Sequence, residues 1–124
     1  MLSEAMPPDS RVLADLFSLA ADPDRLDWQP FRPGVEIYSL YKTDPTGPAA
    51  ALLKYAPGAT VPAHDHSGYE HIIVLSGSQQ DERGVYPTGT VVINPPGSGH
   101  TVLSEAGCIV LIIWEKPVVM RSTS

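Results

Sequence analysis

The stretch GATVPAHDHSGYEHIIVLSG, residues 58–77, decides the fold, because a glycine at each end encloses His64, His66 and Glu70. The two histidines are two positions apart, and on a strand such residues project from the same face. Glu70 follows a Ser-Gly-Tyr turn, so a hairpin would bring its carboxylate level with the two imidazoles. The stretch therefore predicts two neighbouring strands that present three ligating groups to one point.

A second stretch, GTVVINPPGSGH at residues 89–100, ends in another histidine behind a Pro- and Gly-rich loop. We expect His100 to complete the set with His64, His66 and Glu70. Three imidazoles and one carboxylate, without a thiolate, suit Fe(II), Mn(II), Ni(II) or Zn(II) better than Ca(II) or Mg(II), which prefer oxygen ligands. The sequence thus predicts a site for one divalent transition metal ion, and leaves open which one.

Both stretches resemble the two signature motifs of the cupin superfamily. All five defined positions of the first motif agree. In the second motif Gly89, Pro95, Gly97 and His100 agree, whereas Ser104 stands where an asparagine is usual. The resemblance implies an all-β, single-domain cupin: a double-stranded β-helix, or jelly-roll barrel, with a short N-terminal helix.

The wider stretch from Pro57 to Cys108 resembles, more narrowly, the cupin domain of ChrR-type anti-sigma factors and stand-alone relatives such as small diketone and hydroxyacetophenone dioxygenases. This implies a metal-dependent dioxygenase-type enzyme that acts on a small oxygenated organic substrate. The alternative is a non-catalytic module that senses or binds a metal and a ligand. ChrR-type proteins also carry a sigma-binding domain with a Cys/His zinc site. Since no histidine precedes His64 and Cys108 is the single cysteine, we do not expect anti-sigma activity. Whether the chain is an enzyme stays open.

Composition limits the other classes of function. The chain has 124 residues, of which 43% are hydrophobic and 18% charged, as in an ordinary globular domain. A net charge of −6 with only 8 Lys and Arg argues against a nucleic-acid partner. No apolar run is long enough to span a membrane, and no signal peptide is recognisable, so we expect a cytoplasmic protein.

The remaining pattern predicts the elements. Residues 1–34 are expected to form an N-terminal helix and arm, with the helix starting at Asp9–Ser10 and ending at Asp22–Pro23. Residues 35–120 are expected to form the barrel, with strands at residues 35–41, 49–56 and 108–114. Barrels and sandwiches have to protect exposed strand edges, and relatives commonly do so by pairing, so a homodimer is expected.

The strand after Glu70 decides which side chains face the barrel interior. Strict alternation from Glu70 puts Ile72, Val74 and Ser76 inward and His71 outward, unless a bulge shifts the register. We therefore exclude His71 as a ligand.

Four polar residues are candidates for contacts to a substrate or to the ligands: Tyr69, Gln79, Gln80 and Tyr86. For each of them a position on a surface hairpin is the alternative interpretation. Cys108 lies in an apolar run and fits a small buried hydrophobe better than a reactive group.

Overall fold

The computed structural model describes residues 10–121 and consists mostly of antiparallel strands. A helix, α1 (Leu16–Ala21), and a single 3-10 turn (Pro23–Arg25) precede the first strand. The strands are β1 (Gln29–Arg32), β2 (Val35–Lys42), β3 (Ala49–Tyr55), β4 (Ala59–His66), β5 (Glu70–Asp81), β6 (Gly84–Pro87), β7 (Val91–Asn94), β8 (Gly99–Ser104), β9 (Cys108–Trp114) and β10 (Val118–Met120). The prediction of an all-β cupin fold with one short helix is confirmed.

The strands follow the order β1-β2-β3-β9-β5-β8-β4-β10, and β6 and β7 also pair with β5. The 12-residue strand β5 joins the two parts of this curled sheet. Its first half lies between β9 and β7, and its second half pairs with β6 and reaches β8. Since β4 and β5 are connected by the short turn predicted from the sequence, Glu70 begins β5 close to where His66 ends β4.

Two apolar clusters lie on opposite faces of the sheet. The inner cluster fills the barrel and includes Val35, Leu53, Ile72, Val74 and Val110, all at most 3% exposed. The outer cluster contains Ala20, Leu52, Leu75 and Ile109, and apolar side chains of the N-terminal segment pack against it. Helix α1 therefore covers one outer face of the barrel.

A bulge at Leu75 shifts the alternation of β5. Val74 pairs with Val110, but the next pair joins Ser76 to Ile109, so Leu75 has no partner of its own on β9. Val110 belongs to the inner cluster and Ile109 to the outer one. Because directly paired residues share a face, Ser76 faces outward. The expectation that Ser76 points inward is wrong, and every later residue of β5 is displaced by one position.

Gly77 completes this bulge. Its φ of 70° lies in the left-handed region, and a Cβ at this position would collide with the carbonyl oxygen of Gly107. Only glycine fits here without strain. The glycine that ends the first motif is therefore explained by backbone geometry.

The helix is shorter than predicted. It begins at Leu16 instead of at Asp9–Ser10; Ser10 is not helical and Asp9 lies outside the described residues. Val12 is 84% exposed, so the segment before Leu16 buries little apolar surface. Short helices depend on such packing, since their own hydrogen bonds barely offset the entropy of ordering.

Three strands are absent from the sequence prediction: β8, which follows the Pro- and Gly-rich loop, and the short strands β1 and β10. β1 lies within the expected N-terminal arm and pairs with β2, and β10 follows Pro117 and pairs with the end of β4. Both are short, at 4 and 3 residues, and sequence alternation over so few positions is weak.

Within residues 10–121 no helix is both long and apolar enough to cross a membrane. Homodimerisation stays a prediction.

Candidate metal centre

Four predicted residues meet at one end of the barrel interior. His64 and His66 end β4, His100 pairs directly with His64 across β4 and β8, and Glu70 begins β5. One nitrogen or oxygen atom from each lies within 4.8 Å of the others. All four residues are at most 4% exposed. The turn between β4 and β5 and the β4–β8 pairing thus bring groups 36 positions apart in sequence into one cluster.

Hydrogen bonds on the outer ring nitrogens orient two of the imidazoles. The carbonyl oxygen of Pro62 lies 2.9 Å from His64 Nδ1, and a carboxylate oxygen of Asp81 lies 3.0 Å from His100 Nδ1. A carbonyl and a carboxylate can only accept, so both Nδ1 atoms carry the proton. The Nε2 lone pairs of His64 and His100 are therefore free to bind an ion.

His66 is oriented in the same way through a hydroxyl. Its Nδ1 lies 2.9 Å from Ser98 Oγ, and Ser98 Oγ in turn donates to the carbonyl oxygen of Pro95 at 2.6 Å. Because the hydroxyl proton is used in that second bond, Ser98 accepts from His66 Nδ1. All three imidazoles thus expose an Nε2 lone pair in the cluster.

Glu70 is held by two donors. Asn94 Nδ2 donates to Oε1 at 3.1 Å and Trp114 Nε1 donates to Oε2 at 2.9 Å. Burial raises the pKa of Glu70, but positive charge among the neighbouring imidazoles of His66 and His100, together with donation from Asn94, outweighs this effect and holds the pKa below its usual value. Glu70 is therefore an ionised carboxylate in a fixed orientation.

The cluster leaves polar atoms without hydrogen bonds. His66 Nε2 and His100 Nε2 are buried and have no hydrogen-bond partner among the described residues. His66 Nε2 lies 3.1 Å from Glu70 Oε1 and His100 Nε2 lies 3.7 Å from it, yet neither contact has hydrogen-bond geometry. Unpaired buried acceptors are costly, whereas a shared cation would satisfy them all. Burial also lowers the pKa of His64, which favours the neutral imidazole that a metal requires. The donor set therefore fits a divalent transition metal ion.

The other sequence candidates fall into two groups. Gln79 is 3% exposed and lines the interior beside the cluster, and the Tyr86 hydroxyl donates to Asp81 at 2.7 Å. Gln80 pairs with Leu103, which alternates with the inward His100, so Gln80 faces away from the cluster. Tyr69 is 48% exposed. His71, which strand alternation in the sequence excluded as a ligand, is not in the cluster.

Sequence reasoning missed the residues that hold the ligands: Asp81, Asn94, Ser98 and Trp114. Asp81 reads as a turn residue, and strict alternation from Glu70 would direct it outward. Its side chain is nevertheless 2% exposed, because the Leu75 bulge turns it inward. Two signals were available in the sequence: Asn94 directly before the Pro-rich loop, and the indole N–H of Trp114 at the end of an apolar strand. Both groups need hydrogen-bond partners when they are buried.

Two cavities meet beside the cluster. The first has a volume of about 40 Å³ and is lined by His64, Glu70 and His100, among others. The second, of about 230 Å³, is mainly apolar. Phe31, Trp114 and Val118 line both, so the second cavity adjoins the first. Together they offer space for a small organic molecule.

Comparisons with known proteins agree with this geometry. The anti-sigma-E factor ChrR of Cereibacter sphaeroides is 37% identical over 79 residues, which cover 61% of this chain and 37% of the relative. The chain thus spans less than two fifths of the length of that curated relative.

Solved structures share the fold. A putative acetylacetone dioxygenase from Methylibium petroleiphilum superposes with a TM-score of 0.75 at 15% identity, over 98% of this chain and 86% of that one. The anti-sigma ChrR in its complex with SigE from Rhodobacter sphaeroides gives a TM-score of 0.65 at 24% identity, over 86% of this chain and 70% of that one. At these identities the likeness concerns the fold alone.

The family model described as the ChrR cupin-like domain matches residues 18–117. That range includes the four clustered residues and all of the strands that carry them. The chain therefore belongs to the ChrR cupin-like domain family.

Proposed function

We propose that His64, His66, Glu70 and His100 bind one divalent transition metal ion, and that the protein is a metal-dependent dioxygenase-type enzyme for a small oxygenated organic substrate. The observation that carries this proposal is the convergence of three Nε2 lone pairs and one ionised carboxylate, two of the nitrogens having no other partner within residues 10–121. Such a set of groups has no evident use in a packed core.

The bound ion would supply Lewis acidity and, as Fe(II), reactivity toward dioxygen. The protein's own part is positional. Asp81 and Ser98 fix the protonated Nδ1 atoms, so His100 and His66 keep their orientation. Asn94 and Trp114 hold Glu70, which is a ligand in this scheme and not a free base. A proton acceptor for the substrate would therefore come from another group, and buried Gln79 would contribute a polar contact.

The cavities support a small substrate. The space beside the cluster is about 40 Å³, and the adjoining apolar cavity is about 230 Å³. Drug-sized ligands occupy pockets of about 300–1,000 Å³, so a ligand of few non-hydrogen atoms fits better.

The experiment combines metal analysis with oxygen uptake. Protein purified without chelator or affinity tag is analysed by mass spectrometry for metal content, then loaded anaerobically with Fe(II) and mixed with oxygen and acetylacetone or a hydroxyacetophenone. Near-stoichiometric metal and substrate-dependent oxygen uptake are expected. His66→Ala should lose the metal, whereas the matched variant His71→Ala should keep it. Unchanged metal stoichiometry in His66→Ala would refute the ligand assignment.

A second candidate function is a metal- and ligand-sensing or binding module without catalysis. Membership of the ChrR cupin-like family favours it, since the curated relative is an anti-sigma factor. Tightly held zinc, ligand binding and no oxygen uptake after iron loading would select this function over the enzyme.

A further inference from the structure

Arg32 is a charged residue on the inner side of the barrel. The β1–β2 register pairs Arg32 with Val35, which is 2% exposed in the inner cluster. Paired residues share a face, so Arg32 faces the interior, and an irregularity between Pro30 and Arg32 sets this register. Arg32 lines the same cavity as His64, Glu70 and His100.

The guanidinium group lacks a strong acceptor. Its Nε is buried and has no hydrogen-bond partner in the part of the chain that the structure describes. Its Nη2 lies 3.8 Å from Met120 Sδ, which is a weak acceptor, and its Cζ lies 5.4 Å from the ring centroid of Phe31. Within residues 10–121 no carboxylate forms an ion pair with it. The buried Nε–H of Arg32 is therefore a donor that no side chain within residues 10–121 satisfies.

The net charge of the cavity indicates which ligand would pair with the Arg32 guanidinium. A divalent ion with three neutral imidazoles and Glu70 leaves about one positive charge, and Arg32 raises this to about two. A neutral diketone would leave the excess charge in place. A carboxylate would reduce it and would match the planar fork of a guanidinium.

We propose that Arg32 binds a carboxylate of the molecule that occupies the metal cavity, so that the site selects small oxygenated organic anions over neutral analogues. This rests on the proposed metal function and names the substrate class for that site. Arg32 is here a specificity-determining residue in contact with the ligand.

A simpler role for Arg32 is protection of the sheet edge. Among the described strands β1 pairs only with β2, and inward-pointing charges on edge strands discourage pairing with another chain. That role requires no ligand and predicts no preference between charged and neutral molecules. Ligand selectivity therefore separates the two interpretations.

The test uses two matched probes. Acetylacetone and 2,4-dioxopentanoate share a β-diketone, and the second carries a carboxylate in place of one methyl group. Their affinities for Zn(II)-loaded protein are measured by isothermal titration calorimetry. We expect wild-type protein to bind 2,4-dioxopentanoate at least about 10-fold more tightly, as a charge-assisted hydrogen-bond pair would give.

Variants assign the preference to Arg32. Arg32→Gln should lose the preference for 2,4-dioxopentanoate over acetylacetone, and Arg32→Lys should retain part of it. Lys54→Gln, which removes one positive charge from the outer face, should leave the preference intact. If the carboxylate contacted only the metal, the Arg32→Gln variant would still bind 2,4-dioxopentanoate more tightly than acetylacetone. That result overturns the proposal, as does equal affinity for both probes or no binding of either. If Arg32→Gln does not fold, the comparison of Arg32→Lys with wild type decides.

Metal content, measured on every sample, separates this proposal from the proposed function. Wild-type protein that fails to bind metal refutes the metal function. The two probes are then compared by thermal shift on metal-free protein. A larger rise in Tm with 2,4-dioxopentanoate for wild type than for Arg32→Gln would support a carboxylate contact at Arg32, and equal rises would refute it.

Discussion

The two halves of β5 contribute to the candidate metal centre in different ways. The first half begins with Glu70 and continues with Ile72 and Val74 in strict inward alternation. The second half follows the bulge at Leu75 and turns Gln79 and Asp81 inward instead. The first half thus supplies a candidate ligand directly, and the second supplies a carboxylate that acts through His100.

The difference shows what a single extra residue does in a strand. Alternation has a period of two, so one unpaired position exchanges the inner and outer faces for the rest of the strand. Without the bulge, Asp81 would face outward and His100 would lack its acceptor. Three pairs of variants test the two halves, and a fourth pair tests the contact that supports Asp81.

The largest effect is expected at Glu70. Glu70→Gln removes the anionic ligand from the first half and leaves the site with three neutral imidazoles. We expect metal to be lost, with affinity at least about 100-fold weaker, since even changes to residues that only support a ligand cost about 10–100-fold. Competition with a chelator measures it. His71→Ala, at the next position, should bind metal as wild type does; weakening there would contradict the inward alternation.

The packing of the first half is tested at Ile72. Ile72→Ala creates a cavity in the inner cluster, where Ile72 is 2% exposed, and should lower the free energy of unfolding by about 2–5 kcal/mol. Urea denaturation measures this loss. Ile73→Ala affects a partly buried residue of the outer face and should cost less. An equal or larger cost at Ile73 would be inconsistent with this arrangement.

The second half is tested at Asp81. Asp81→Asn keeps the shape but replaces the carboxylate that holds His100 Nδ1 by a weaker, neutral acceptor. Metal affinity should fall by about 10–100-fold, without being abolished. The matched variant is Gln80→Ala, because Gln80 faces away from the cluster. The same loss in both variants would mean that the bulge does not direct Asp81 to the site.

The smallest effect is expected at Tyr86, which supports the candidate ligand His100 through Asp81. Tyr86→Phe removes the hydroxyl that donates to Asp81 Oδ1 at 2.7 Å. The free energy of unfolding should fall by about 0.5–1.5 kcal/mol, and metal affinity should fall less than in Asp81→Asn. Tyr69→Phe, at an exposed residue, should change neither quantity. A metal loss at Tyr86 as large as that at Asp81 would require a direct role for the phenol.

Much of the architecture was predictable from local pattern. The apolar run of β9 has the predicted bounds, Cys108–Trp114, and β2 and β3 begin at the predicted residues Val35 and Ala49. Strong alternation or continuous apolar runs bounded by Gly and Pro carry such information within a few residues. β1 and β10 were not predicted because pairing with other strands, and not a local pattern, makes them strands. β1 pairs with β2 across a turn, and β10 pairs with β4, which is distant in sequence.

The sequence by itself determined the cupin fold and the four residues that meet at the candidate metal centre, since motif spacing and strand parity are local properties. Only the tertiary structure decided that Asp81 faces His100, that Asn94 and Trp114 hold Glu70, and that Arg32 lines the same cavity. The physical reason is that a bulge and a cross-strand register arise from backbone pairing between segments far apart in the chain, which no local period records.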